Sequence, residues 1–344
     1  MKNRSLLKAA VTTGAGLMIC VLLLLYSVFL RPNILVGQSS KQLHIPRHTS
    51  FITLQATLQQ QGYLSNTRSF RWLARFLHYD RRIVPGAYQL RPNMSNWQAI
   101  RLLKTGIQRP VKVVLHNINS KAELAHQLTK NLEIDAAEVE QLLHDPAFLQ
   151  QYGFQIETVP AMFIPNTYEV YWTISAQALF QRMYKEYQRF WNKARMSRTK
   201  SLKLTPIEVS TLASIVQKET NKTEEAPIVA GVYVNRLKKK MALGSDPTLL
   251  YILNDPTARR VLNRHKNLES PYNTYKHRGL PPGPICSPSI AMIDAVLNYT
   301  SHNYLYFSAK EDFSGYHYFA RSYQEHLRNA RRYRRALNRG RIYR

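Results

Sequence analysis

The chain has 344 residues, of which 44% are hydrophobic, including four Trp and twelve Phe. That is enough apolar material for the cores of two globular modules beside a membrane anchor, so the composition excludes a disordered tail. Lysine and arginine number 48 against 21 acidic residues, which gives a formal net charge of +27. We therefore expect a polyanionic partner or surface: nucleic acid, acidic lipid head groups or a carboxylate-bearing cell-wall polymer.

An uncharged apolar stretch covers residues 9–30. As a helix it is long enough to cross the roughly 30 Å of hydrocarbon in a bilayer, and we interpret it as a membrane anchor. Lys2, Arg4 and Lys8 precede it. Because basic residues favour the cytoplasmic side, residues 1–8 are predicted to be cytoplasmic and everything after the anchor extracytoplasmic.

Two other interpretations of this stretch are weaker. A cleaved signal peptide has a shorter apolar run, followed closely by a small-residue cleavage site that is missing here. A lipoprotein site at Cys20 is disfavoured by the bulky residues 17–19 before it, so Cys20 is interpreted as an apolar residue in lipid. Cys286 cannot pair with a residue inside the bilayer, and we expect no intramolecular disulfide.

The histidines show no metal-site spacing. His44 and His48 are four residues apart, but Pro46 lies between them and argues against a shared helical face. We expect neither a metal nor a cofactor.

After a polar linker at residues 31–43, helical and strand patterns alternate over residues 44–118. Helical stretches are predicted at 51–61, 70–77 and 97–103, and short strands near Tyr88 and Val113. The pattern indicates a small mixed α/β module, which we interpret as a spacer or docking module.

Residues 119–344 form the second module. Helical periodicity dominates residues 121–191, with interruptions that include Pro146 and an expected loop at 163–168. Residues 193–203 are interpreted as a charged, polar stretch.

The most informative helix begins at Thr205. This residue type caps helices, Pro206 suits the first helical position, and Glu208 follows three residues after the cap. Glu219 then falls on the same apolar stripe as Leu212, Ile215 and Val216, which define the core-facing side.

A core-facing glutamate is costly to ionise, so the pKa of Glu219 should rise and its carboxyl should hold a proton. That is the property that a general acid needs. The alternative is that Glu219 pairs with a nearby Arg or Lys at the helix end and has no further role. The helix alone does not choose between these interpretations.

A glycosidase usually needs a second carboxylate. The nearest are Glu224, Glu225 and Asp246, and none is an evident nucleophile. Residues 245–248, 272–275 and 279–284 concentrate turn formers, Tyr and Asn. We interpret them as loops that line a site suited to sugars, because aromatic faces stack on sugar rings and amides reach their hydroxyls.

Several blocks follow one another in this module: residues 212–220 (LASIVQKET), 229–237 (VAGVYVNRL), 245–248 (SDPT), 273–275 (NTY), 279–285 (GLPPGPI), 304–307 (YLYF) and 325–326 (EH). In these blocks the chain resembles the MltG (YceG-like) family of endolytic murein transglycosylases. The resemblance extends to the anchor and to the N-terminal module, so it covers nearly the whole chain.

The resemblance implies an α+β fold: a single transmembrane helix at 9–30, a LysM-like module at 44–118 and a catalytic domain with lysozyme-like features at 119–344. It places the catalytic glutamate at Glu219. The candidate substrate-binding residues are Glu225, Asn235, Arg236, Asp246, Asn273, Tyr275 and Tyr306. Gln217 stands where the family often has an acid, and we expect activity to survive because Gln217 points away from the stripe of Glu219.

The implied reaction cuts the bond between N-acetylmuramic acid and N-acetylglucosamine in peptidoglycan. Protonated Glu219 would donate to the glycosidic oxygen and then, ionised, take the proton of the muramic C6 hydroxyl, which closes a 1,6-anhydro ring. The resemblance implies a place in the bacterial inner (plasma) membrane, nascent glycan strands as substrate, peptidoglycan synthases as partners and termination of strand growth.

Three alternatives stay open at this point. A hydrolytic muramidase would use Glu219 to activate water. A wall-binding division scaffold would keep the fold without catalysis. The third alternative is nucleic-acid binding, which is suggested by the eight arginines in residues 328–344. We prefer a solvated basic helix there, because an extracytoplasmic compartment contains no nucleic acid, and expect no nucleic-acid partner.

Overall fold

A computed structural model describes residues 2–255, 258 and 261–340 of the chain. It separates into two compact units. The first unit comprises residues 1–112, 131–133 and 169–174, and the second comprises residues 113–130, 134–168 and 175–344. The sequence placed the change of module at residue 118, a few residues further along the chain.

The N-terminal apolar stretch is a helix. The α-helix α1 (Lys2–Leu25) continues into a π-helical turn, Tyr26–Leu30. Its segment Val11–Leu30 spans 20 residues with a mean hydropathy of 2.3, and none of this segment is buried against the rest of the chain. By length and composition this helix suffices to cross a membrane, and a signal sequence near an N-terminus meets the same criteria.

The rest of the first unit mixes strands and helices, as the sequence predicts. Its elements are β1 (Lys41–Ile45), α2 (Phe51–Gln60), α3 (Thr67–Phe76), β2 (Gly86–Leu90) and α4 (Asn96–Thr105). The two strands are antiparallel, with Lys41 opposite Leu90 and Ile45 opposite Gly86. Each of the three helices begins at a side-chain cap that the sequence supplies: Ser50, Asn66 and Ser95.

Further elements follow in chain order: β3 (Val111–Val114), α5 (Lys121–Thr129), α6 (Ala136–Leu143), α7 (Pro146–Gln150), β4 (Thr167–Val170), α8 (Ala176–Phe190), α9 (Lys193–Leu202), α10 (Pro206–Glu219), α11 (Ala226–Lys238), α12 (Asp246–Leu253), α13 (Ile290–Leu297), β5 (Tyr306–Ala309), β6 (His317–Ala320) and α14 (Tyr323–Arg339). Short 3₁₀ turns lie at Tyr79–Arg81, Val159–Met162 and Asn263–Asn267. The described strands form three two-stranded sheets, β1–β2, β3–β4 and β5–β6.

Two loop predictions in the second unit were wrong in part, and two other segments are helical. Residues 193–202 of the predicted charged, polar stretch form α9, which Asn192 caps and which lacks an apolar stripe to reveal its period. Pro146 lies at a break in the helical pattern, as predicted: α6 ends at Leu143, and Pro146 begins α7 with Asp145 as its cap. The supposed loop at 163–168 already contains the start of β4, and residues 246–248 are the first turn of α12.

The basic C-terminal stretch is helical as far as it is described. Helix α14 has no buried residue, in agreement with a solvated basic helix. The end of the predicted stretch, residues 341–344, lies outside the described residues.

Helix α10 organises the core of the second unit, where it packs against α11, α12 and α13. Its predicted start is confirmed, since Thr205 and Glu208 form a reciprocal capping box. All residues from Val209 to Val216 are buried. The helix ends at Glu219, because Thr220 is extended, with φ −140° and ψ 139°.

Two glycines of the second unit permit close backbone approach. A Cβ at Gly231 would lie 2.5 Å from the carbonyl oxygen of Thr300, and one at Gly283 would lie 2.0 Å from that of Glu157. Neither position can accept a larger residue without a backbone shift. The packing of α11 and of the 279–285 loop therefore depends on glycine.

Candidate active site

The carboxyl of Glu219 lies where α10 ends. The predicted stripe is confirmed up to Val216, which is fully buried together with Leu212 and Ile215. Glu219 itself stays partly accessible to solvent. Burial nevertheless raises the pKa of its carboxyl, as the sequence predicts.

Two hydroxyl groups hold this carboxyl in place. Tyr233 Oη donates a hydrogen bond of 2.7 Å to Glu219 Oε1, and Ser245 Oγ donates one of 2.6 Å to the same atom. Both bonds favour the ionised form and lower the pKa, but burial is the larger effect. In the described part of the chain, Oε2 receives no hydrogen bond and remains available to a ligand.

No cation neutralises Glu219 among the described residues, since no Arg, Lys or His lies within salt-bridge distance of it. The alternative of a structural ion pair at the helix end therefore loses its support. The negative charge of Asp246 raises the pKa of Glu219 further, while His317 acts in the opposite direction. The surroundings favour a proton on the carboxyl.

Tyr233 is a donor that keeps its proton. Burial and the nearby charge of Glu219 raise its pKa well above the ordinary value for tyrosine. It lies on α11 and also packs edge-on against Phe307 at 5.9 Å. Its hydroxyl is thus fixed by the core and aimed at Glu219.

Asp246 and Tyr275 form a pair beside the carboxyl. Tyr275 Oη donates a hydrogen bond to Asp246 Oδ1. Burial raises the pKa of Tyr275, and the charges of Asp246 and Glu219 raise it further. The structure therefore brings these two predicted site residues near Glu219.

Arg236 and Tyr306 form a second pair of predicted residues. Arg236 Nε donates to the carbonyl oxygen of Leu305 at 2.7 Å, and its guanidinium lies 5.3 Å from the ring centre of Tyr306. The ring of His326 also stacks on that of Tyr306, with ring centres 5.5 Å apart. Arg236 thereby adds a fixed positive charge and orients an aromatic ring.

Asn235 and Asn273 hold backbone segments. The amide of Asn235 donates to the carbonyl oxygens of His302 (2.7 Å) and Tyr304 (3.0 Å). The fully buried Asn273 donates to those of Lys266 (3.0 Å) and Leu268 (2.8 Å). These donors are occupied by loops and not directed at an open cleft.

Glu225 has a partner of its own. The backbone N–H of His317 donates to Glu225 Oε1 at 2.9 Å, and His317 Nδ1 lies 2.7 Å from Oε2. Glu225 is buried, at 5% exposure, at the N-cap of α11. Glu224, in contrast, is exposed and accepts a hydrogen bond from Tyr316.

The sequence reasoning missed Tyr233, Ser245 and His317. Tyr233 and Ser245 stood inside quoted blocks, but an aromatic residue among apolar neighbours is typical of a core, and Ser245 was taken as a turn former. His317 gave no signal at all. Its place near Glu219 depends on the β5–β6 hairpin, which brings residue 317 to Glu225.

A cavity of about 440 Å³ lies in the second unit, and Glu219 is not part of its lining. Its walls include Lys121, Glu157, Tyr251, Tyr272 and Ser287. Gln217 connects to this region: its Oε1 accepts from the N–H of Ser289 at 2.7 Å. The described residues contain no group of three or more His, Cys, Asp or Glu side chains that could hold a metal ion.

The profile of the YceG-like family matches residues 43–332. The chain belongs to this family. A Listeria monocytogenes yceG-like protein of known crystal structure has a similar fold, with a TM-score of 0.56 and 26% identity over 85% of this chain and 99% of that one.

Two curated relatives bear the name endolytic murein transglycosylase. The protein of Streptococcus pneumoniae serotype 2 is 28% identical over 315 residues, which cover 83% of this chain and 57% of the relative. That of Bacillus subtilis is 37% identical over 137 residues, 40% of this chain and 37% of the relative. The chain thus matches about half, or less, of each relative's length.

Replacement of Glu219 by Gln should stabilise the fold increasingly as pH rises. The pKa of Glu219 is raised in the folded state, so the native protein binds this proton more tightly than the unfolded chain does. Above the unfolded pKa of about 4.3, the native carboxyl therefore lowers the free energy of unfolding increasingly as pH rises, and Gln removes this effect. Urea unfolding of the full chain in detergent at several pH values measures the difference. Glu224→Gln is the control, since the pKa of Glu224 is lowered and any difference has the opposite sign. A pH-independent effect of Glu219→Gln contradicts the burial argument.

Proposed function

We propose that this chain is a membrane-anchored endolytic peptidoglycan transglycosylase with Glu219 as its acid and base. One observation carries the proposal. A glutamate that has no cationic partner among the described residues is held by two hydroxyl donors at one oxygen, with its pKa raised and its other oxygen available. Membership of the YceG-like family and the name shared by the two curated relatives support it.

The first step is proton donation. Protonated Glu219 gives its proton to the glycosidic oxygen between N-acetylmuramic acid and N-acetylglucosamine, and the bond from that oxygen to C1 breaks. The substrate's own N-acetyl group stabilises the oxocarbenium-like centre. The new negative charge on Glu219 is met by the hydroxyls of Tyr233 and Ser245, which are already in place.

The second step returns the proton. Ionised Glu219 accepts the proton of the muramic C6 hydroxyl, whose oxygen bonds to C1 and closes the 1,6-anhydro ring. No water is consumed and no protein nucleophile is needed. The other acids fit this scheme, because Glu225 is bound to His317 and Asp246 to Tyr275.

The neighbouring residues are proposed to bind substrate in different ways. Tyr306, whose ring is held between Arg236 and His326, offers its hydroxyl group to a sugar. Asp246 and Tyr275 present polar groups next to the carboxyl. Asn235 and Asn273 act indirectly, through the backbone segments that they hold. Glu225 positions the β5–β6 hairpin through His317.

The proposed organisation follows from the apolar helix. Residues 1–8 lie in the cytoplasm, residues 9–30 cross the inner membrane, and the linker 31–43 leads to a LysM-like module at 44–118 and a catalytic domain with lysozyme-like features at 119–344. The catalytic domain would then cut nascent strands close to the membrane, in contact with peptidoglycan synthases, and end their growth.

Product analysis tests this function. The full chain in detergent, incubated with purified peptidoglycan, should release fragments with 1,6-anhydro ends, which mass spectrometry detects. Glu219→Gln should lower the rate by about 10²–10⁴-fold, because it removes the general acid and base. Glu224→Gln is the matched control and should leave the rate nearly unchanged, since Glu224 is an exposed acid.

Each alternative predicts a different product. Fragments one water heavier would identify a hydrolytic muramidase. A folded chain that binds glycan without cutting it would identify a wall-binding scaffold and would contradict the proposed enzyme.

Two substitutions should shift the pH profile of cleavage in opposite directions. Asp246→Asn removes a negative charge that raises the pKa of Glu219, so the alkaline limb of kcat/KM should move to lower pH. Tyr233→Phe removes a hydrogen bond that favours the ionised carboxyl, so the alkaline limb should move to higher pH. Shifts in the same direction for both variants would show that this limb does not report the proton of Glu219.

A further inference from the structure

Helix α3 in the first unit presents two apolar faces. Phe70, Leu73 and Ala74 are buried on one of them. On the other, Trp72 and Phe76 stack on each other, with ring centres 5.4 Å apart and planes 5° from parallel. They remain 49% and 59% exposed, respectively. The core cluster of the first unit does not include this aromatic pair. Adjacent exposed aromatic rings of this kind mark an interaction surface.

Three arginines border the aromatic pair. Arg68, Arg71 and Arg75 line a groove of about 480 Å³ together with Trp72 and Phe76. Spacings of three and four residues place all five on one side of the helix. In the described part of the chain, none of the three has a carboxylate within salt-bridge distance, although Arg71 Nε donates to Gln55. Their charges are therefore free to meet an anion.

This surface begins where the apolar N-terminal helix ends. The ring of Phe29 lies 6.2 Å from that of Trp72 and 6.1 Å from that of Phe76. It also lies 6.2 Å from the ring of Trp97, which is 39% exposed. Asn96 Nδ2 fixes the same turn by donating to the carbonyl oxygen of Val28 at 2.9 Å. The aromatic surface is thus attached to the last turn of a helix long enough to cross a membrane.

The sequence around this surface is strongly basic. Residues 31–112 contain thirteen Lys and Arg but a single acid, Asp80. Basic residues next to a membrane are attracted to anionic lipid head groups, and Trp is enriched at the boundary between head groups and hydrocarbon.

We propose that α3 is an interfacial helix that docks on the anionic lipid surface of the membrane in which the N-terminal helix is anchored. Trp72, Phe76 and Trp97 lie at the level where acyl chains meet head groups. Arg68, Arg71 and Arg75 contact lipid phosphates. The inference rests on the proposed anchoring and is independent of the chemistry of Glu219.

A glycan is the other conceivable occupant, since sugars stack on aromatic rings. The groove disfavours it, because its lining consists of arginines and aromatic rings alone, without the amides or carboxylates that read sugar hydroxyls. Contact with Phe29 also places the surface at the end of the apolar helix, where lipid is the neighbouring phase.

Tryptophan quenching in vesicles tests the proposal. The full chain is reconstituted into vesicles of phosphatidylglycerol and phosphatidylethanolamine whose acyl chains carry bromine near the head-group end or near the methyl end. Bromine near the head groups should quench more strongly. Trp72→Phe should remove about half of the quenched emission, because Trp72 and Trp97 are the two tryptophans expected at the interface.

The matched control is Trp172→Phe. Trp172 also belongs to the first unit, but its ring packs on His44 at 4.7 Å. This variant should leave the quenched emission unchanged. Replacing Arg68, Arg71 and Arg75 together by Gln should reduce quenching in anionic vesicles to the level seen in phosphatidylcholine vesicles.

Equal quenching in the unmodified chain and in Trp72→Phe would overturn the proposal. So would a Trp72 emission that responds to added soluble glycan and not to brominated lipid, which would identify a sugar site. Peptidoglycan cleavage, measured on the same vesicles, separates the two proposals. Loss of cleavage with intact quenching affects only the proposed function, and loss of quenching with intact cleavage affects only the docking surface.

Discussion

The site depends on a single constraint: burial raises the pKa of the Glu219 carboxyl, and among the described residues no Arg, Lys or His lies within salt-bridge distance of it. A buried ionised carboxylate is expensive, so the group favours its proton. Tyr233 and Ser245 moderate this preference through two short hydrogen bonds to one oxygen. Because Tyr233 lies on α11 and Ser245 directly precedes α12, the packing of these two helices against α10 fixes the carboxyl in place for the proposed proton transfers.

The sequence predicted those features that a local pattern encodes. The capping box at Thr205, the proline that follows it and the apolar stripe are all short-range signals, and together they located α10 and the core-facing Glu219. The apolar run at the N-terminus is a signal of the same local kind. Where the pattern was missing, as in the polar helix α9, the sequence predicted no helix because nothing in its composition revealed a period.

The partners of Glu219 could not be predicted, because they come from distant parts of the chain. Tyr233 lies 14 residues away and Ser245 lies 26 residues away, and neither differs locally from a core aromatic residue or a turn former. His317 and Glu225 are 92 residues apart and meet only through the β5–β6 hairpin. Asn273 was predicted to bind sugars by residue type, and Asn235 was a candidate through the family resemblance. The amides of both hold the backbone instead, which only the three-dimensional arrangement reveals.

The central claim is that the C6 hydroxyl of the substrate, and not water, attacks C1 after Glu219 donates its proton. Cleavage of peptidoglycan by the full chain in water enriched in ¹⁸O tests it most directly. The account predicts that the newly formed muramic ends contain no ¹⁸O at the earliest time points and carry the mass of the anhydro sugar. One ¹⁸O atom in each new end from the first turnover would contradict it and would show that Glu219 activates water.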